Sequence, residues 1–121
     1  MPLSRTGIGK ALLLDSFDRW ELTFDSESPV QQLSHQTKES FLHRMASYAE
    51  EGIALDLEEN EPGIRCVAAP IRDGSGKIIA AISMSATNPY MPDERMNALK
   101  TVMASTAGQI SRKLGYSGKS Y

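Results

Sequence analysis

The 121-residue chain has room for one domain, and 40% apolar residues suffice for a core without disulfide staples, which argues against an intrinsically disordered chain. Thirteen Lys and Arg against fifteen Asp and Glu leave a net charge of −2. That balance argues against a nucleic-acid grip in this piece, though not against a module regulating a separate DNA-binding part.

Gly7 to Ser16 reads as a helix, with Thr6 as its N-cap and an apolar face starting at Ile8, Ala11 and Leu12. A weaker helical stretch runs through Phe17, Trp20, Leu22 and Phe24. Asp25 to Gln36 is polar, contains Ser28-Pro29, and reads as a long connection. Thr37 caps a clear amphipathic helix whose stripe is Phe41, Leu42, Met45, Tyr48 and Ala49, and Gly52 stops it. After Gly52 the period changes from 3.6 to 2. Ile53, Leu55 and Leu57 alternate with Ala54, Asp56 and Glu58 as in a half-buried strand. Ile64–Arg72 and Lys77–Thr87 are two further strands joined by Asp73-Gly74-Ser75-Gly76, a hairpin signal. Pro92-Asp93 opens a long helix with Met96, Leu99, Met103, Thr106 and Ile110 on one face, ending at Gly115. The order, helices then an antiparallel three-strand run then a closing helix, makes the fold α+β, with a sheet thin for its core. Residues 1–115 form the expected domain and 116–121 a frayed tail.

The hairpin register carries the most information about function. If Arg72 pairs with Lys77, Cys66 faces Ser83 and Ile64 faces Ser85. Alternation then puts Cys66, Ser83 and Ser85 on one face among Ala68, Pro70 and Ala81. Val67, Ala69, Ile71, Ile78, Ala80, Ile82 and Met84 form an apolar layer on the other. The polar face is read either as ordinary small residues under a helix or as a concave pocket for a small polar ligand. In the second reading Asp56 adds an acceptor, and Gly7-Ile8-Gly9 offers backbone N–H groups at a helix start.

Enzyme-like signals are weak. Gly7-Ile8-Gly9-Lys10 fails as a phosphate-binding loop, because Ser4 stands where the first glycine belongs and Ala11 follows the lysine. A nucleophile–base pair of Cys66 with His35 or His43 has no motif behind it, and no spacing implies a metal or a cofactor. The single cysteine cannot form an intrachain disulfide and fits a reducing compartment. Leu12-Leu13-Leu14 is too short for a signal core, and no run reaches about eighteen apolar residues, so a cytoplasmic, non-membrane protein is expected.

Three blocks together resemble a known family. Pro2-Leu3-Ser4-Arg5-Thr6-Gly7-Ile8-Gly9-Lys10-Ala11-Leu12, Glu58 through Ile71 with its Gly63, Cys66 and Ala68-Ala69-Pro70-Ile71, and Ala80-Ala81-Ile82-Ser83-Met84-Ser85 are similar, in order and spacing, to blocks of the IclR-family transcriptional regulators. The resemblance implies the C-terminal effector-binding domain, a GAF-like (profilin-like) antiparallel sheet packed by helices, here incomplete at its first strands. It also implies that DNA is contacted only through a helix-turn-helix domain absent from this chain, and that copies associate as a dimer or tetramer. By position, the effector-binding residues are Gly7, Ile8, Asp56, Cys66, Ser83 and Ser85, and the expected effector is a small carboxylate or keto acid. Ile8 is bulkier than the residue the family often has there and narrows the pocket. Ala86 stands where the family has Gly. The alternative reading is a small enzyme with Cys66 as nucleophile.

Overall fold

A computed structural model describes residues 3–27 and 37–117; His35 and most of the polar connection lie outside the described residues. Helix α1 (Gly7–Leu12) starts where expected, with the Thr6 hydroxyl accepting from the Gly9 N–H at 3.0 Å. It ends four residues short of the predicted Ser16. The Leu13 carbonyl instead accepts from the Ser16 N–H and, at 2.7 Å, from the Trp20 indole N–H, which turns the chain into α2 (Phe17–Ser26). Trp20 and Phe24 face inward from α2. Helix α3 (Lys38–Glu51) begins with a reciprocal capping box between Thr37 and Ser40 and stops at Gly52, whose φ of 74° suits glycine.

Strands β1 (Ala54–Leu57), β2 (Ile64–Arg72) and β3 (Ile78–Thr87) form an antiparallel sheet in the order β1-β2-β3. A 3₁₀ turn (Asn88–Tyr90) leads to α4 (Asp93–Lys113). Helices α1 to α3 cover one face, where Trp20, Phe24, Phe41, Met45 and Tyr48 pack with Ala54, Cys66 and Ala68. Helix α4 covers the other, packing Met96, Met103, Ala104 and Ala107 on Val67, Ala69 and Ile71. Its stripe differs from the expected one at Thr106, which is exposed, while Ser111 is buried and its hydroxyl accepts from the Arg72 N–H at 2.9 Å. The period of 3.6 carries the contact line through 96, 103, 107 and 111 and leaves Thr106 beside it. Of the expected tail, residues 118–121 lie outside the described residues. Tyr116 donates its N–H to Ser111 and sets its ring 6.0 Å from the Arg72 guanidinium.

The predicted register is corrected by two residues. Cys66 pairs with Ser85 and Ala68 with Ser83, and Ile64 faces Thr87. One residue of the shift comes from the turn: Asp73 donates to the Lys77 carbonyl across a three-residue loop in which Gly76 has φ of 87°. The other comes from a bulge. Arg72 pairs with Ile78 but Ile71 with Ala80, so Ile79 has no partner. Two single shifts restore parity beyond the bulge, and Cys66, Ser83 and Ser85 share a face as expected. On the turn side of the bulge parity is reversed. Ile78 packs with the α1–α3 cluster instead of the α4 layer. Met84 faces the α4 side but is 43% exposed, so it adds little to that layer.

Candidate functional site

The site forms where the start of α1 lies against the middle of the sheet. That approach depends on two glycines. A Cβ on Gly7 would sit 2.6 Å from the Cys66 Sγ and 3.3 Å from the Ala68 Cβ, and one on Gly9 would sit 2.6 Å from the Leu3 Cα. Neither position accepts a side chain without moving backbone or closing the space beside Cys66.

A cavity of about 190 Å³ opens between α1 and the sheet. All six residues singled out from the sequence line it: Gly7 and Ile8 from α1, Asp56 from β1, Cys66 from β2, and Ser83 and Ser85 from β3. Thr6, Asn60 and Ile64 line it as well. These three were missed for different reasons. Thr6 reads fully as an N-cap, and it serves as one. Ile64 follows from parity, being two residues before Cys66 on the same strand. Asn60 arrives through a loop in which Glu58 has φ of 71°, a conformation that residue type does not announce.

Asp56 is 4% exposed, and its Oδ1 accepts from the N–H groups of Glu59 at 3.0 Å and Asn60 at 3.4 Å. Burial pushes its carboxyl up to about 6; the Lys10 charge and the two backbone donors pull it down, while Glu59 pushes it further up. Behind it, Lys10 is 1% exposed, donates to the Leu55 carbonyl at 2.8 Å, and is ion-paired with the buried Glu59. Arg44 on α3 lies 3.7 Å from the same Glu59 oxygen, and the Tyr48 ring stands 5.8 Å from the Lys10 Nζ. The residue that fails as a phosphate-loop lysine is thus the buried tie between α1 and β1.

Cys66 is 6% exposed. Burial pushes its thiol up, hydrogen bonds with the Ser83 and Ser85 hydroxyls offset part of this, and the Asp56 charge adds to it. A nucleophilic cysteine needs the reverse, a lowered pKa and a base. His43 is exposed on α3 and does not line the cavity, and His35 lies outside the described residues, so no histidine among the described residues serves Cys66 as a base. Among the described residues no group of three or more His, Cys, Asp or Glu side chains could hold a metal ion, and no helix is long and apolar enough to cross a membrane.

Residues 1–112 match the family described as the bacterial transcriptional regulator IclR C-terminal domain. The chain belongs to the IclR family. It is 33% identical to the transcriptional regulator KdgR of Escherichia coli over 95% of its own length and 45% of that protein's. The regulator XynR of the same species is 29% identical over 96% of this chain and 47% of XynR. Among solved structures, the Agobacterium tumefaciens repressor BlcR matches with a TM-score of 0.84 at 29% identity, covering 96% of this chain and 49% of BlcR. The C-terminal domain of E. coli KdgR matches with a TM-score of 0.77 at 30% identity, covering 95% of this chain and 72% of that one. The IclR-type chain therefore spans about half the length of the full-length relatives it matches. Those relatives and neighbours are transcriptional regulators, not enzymes, and their shared fold is the α+β arrangement described above.

Proposed function

We propose that this chain is the effector-sensing part of an IclR-type transcriptional regulator, and that the cavity between α1 and the sheet takes a small carboxylate or keto acid. The observation that carries the reading is the convergence of the Ser83 and Ser85 hydroxyls, the Cys66 thiol and the Asp56 carboxylate on one space of about 190 Å³. That volume is below the range of drug-sized pockets, roughly 300–1,000 Å³, and suits a compact metabolite. The serine hydroxyls hold the carboxylate together with backbone N–H groups at the start of α1, and Asp56 stands beside it on the β1 side of the same cavity. Occupancy acts on DNA by favouring one of two arrangements of associated subunits, dimers or tetramers, with DNA held by a helix-turn-helix region outside this chain.

Calorimetry with two- to six-carbon acids tests the assignment. Ser83→Ala and Ser85→Ala should each weaken binding by about 0.5–1.5 kcal/mol, the contribution of one neutral hydrogen bond, with unchanged melting. Equal affinity in the wild type and both variants removes the serines from the site.

A further inference from the structure

The side chains lining the cavity carry one formal charge between them, and it is negative: the Asp56 carboxylate. The cation acting on Asp56 is Lys10, and it is committed to Glu59. Lys10 on α1 is bound to Glu59 and the Leu55 carbonyl, and Arg44 on α3 approaches the same Glu59. The groups acting on Asp56 are thus Lys10 from α1 and Glu59 from the β1–β2 loop, of opposite sign. Tyr48 on α3 is held protonated by burial and by Glu59, and Cys66 on β2 is a neutral thiol. Ser83 and Ser85, on β3, do not titrate. An anion entering beside the buried, ionised Asp56 would set two like charges side by side, where one carboxylate then holds a proton.

We infer that a carboxylic acid enters this cavity together with one solvent proton, taken up by Asp56 and donated in a hydrogen bond to the ligand carboxylate. The inference rests on the effector-binding reading above. No bond between heavy atoms is made or broken. Oδ1 of Asp56 is occupied by the Glu59 and Asn60 N–H groups, which leaves Oδ2 to carry the proton. The environment is already set for uptake, because burial holds the carboxyl at about 6. At pH 7.5 the empty site is ionised and the filled one is protonated, so binding takes up close to one proton.

Isothermal titration of the 121-residue chain in phosphate and in Tris at pH 7.5, with two- to six-carbon monocarboxylic acids including lactate and hexanoate, reads that proton from the difference in heats. Uptake close to one per acid is expected, with affinity weakening about tenfold per pH unit between 6.5 and 8.5. Asp56→Asn, whose amide N–H replaces the donor, should bind the same acid with pH-independent affinity and no uptake. Binding by the wild type without proton uptake overturns the inference and leaves the effector reading standing. Failure of every acid to bind at both pH 6.0 and 7.5 defeats the effector reading, and the inference with it.

Discussion

At Asp56 the fold and the site make opposite demands. Its carboxyl is raised from 3.8 to about 6 by burial, so between those values the native state holds more protons than the unfolded chain. Stability on this account falls as pH rises through that window, and above about pH 6 the full cost of a buried ionised carboxylate remains. Asn at this position keeps the oxygen that accepts from Glu59 and Asn60 and has no charge to desolvate. Asp56→Asn should therefore stabilise the empty chain at pH 7.5, by on the order of 3 kcal/mol. The advantage should vanish near pH 4, where the wild-type group is protonated in the folded state. Thermal melts of both proteins at the two pH values check this. A lower melting point for Asp56→Asn at pH 7.5 would mean that the carboxylate charge is used by a fold contact, and the strained-site account would be wrong.

At the scale of elements, α1 has six residues and cannot hold a helical form alone. It is kept in place by its N-cap, by glycines that let it touch β2, and by the Lys10 tie to β1 and Glu59. Lys10→Met leaves Glu59 buried with, among the described residues, Arg44 at 3.7 Å to balance it. Breaking a buried pair on one side costs about 3–5 kcal/mol, whereas replacing both partners by apolar groups is often neutral. Lys10→Met should thus lose roughly 3 kcal/mol in denaturant unfolding, and Lys10→Met with Glu59→Leu should recover most of it. A single-variant loss below about 1 kcal/mol would mean α1 is held by packing alone. This tie marks the limit of what the sequence shows. Among the described residues periodicity located the three strands and the four α-helices, though not the 3₁₀ turn at Asn88–Tyr90 or the early end of α1, and it found the shared face of Cys66, Ser83 and Ser85, because strand parity survives a shift of two. It could not show the bulge at Ile79, which reversed Ile78, since nothing in Ile78-Ile79 distinguishes the extra residue. Nor could it show that Lys10 and Glu59, 49 positions apart, meet in the core.

For the whole molecule, the sheet has two outer strands of different character. β1 has four residues and is followed by a loop carrying Glu58, Glu59 and Glu61, features that blunt an edge. β3 runs ten residues from Ile78 to Thr87 without a charge or a proline, and its Ile79 and Met84 are 50% and 43% exposed. A long, uncharged, partly apolar edge is a template for a strand from another chain, and only the bulge at Ile79 interrupts it. The 121-residue chain on its own should therefore form dimers or larger species and melt with weak cooperativity. Met84→Lys puts a charge on the exposed strand without touching the cavity face, since Met84 pairs with Val67 and points away from Ser83 and Ser85. It should shift the size distribution toward monomer and leave acid binding unchanged. Light scattering and thermal melts of the two proteins decide the matter. A monodisperse wild-type monomer with a sharp, reversible melt would show that β3 needs no neighbour.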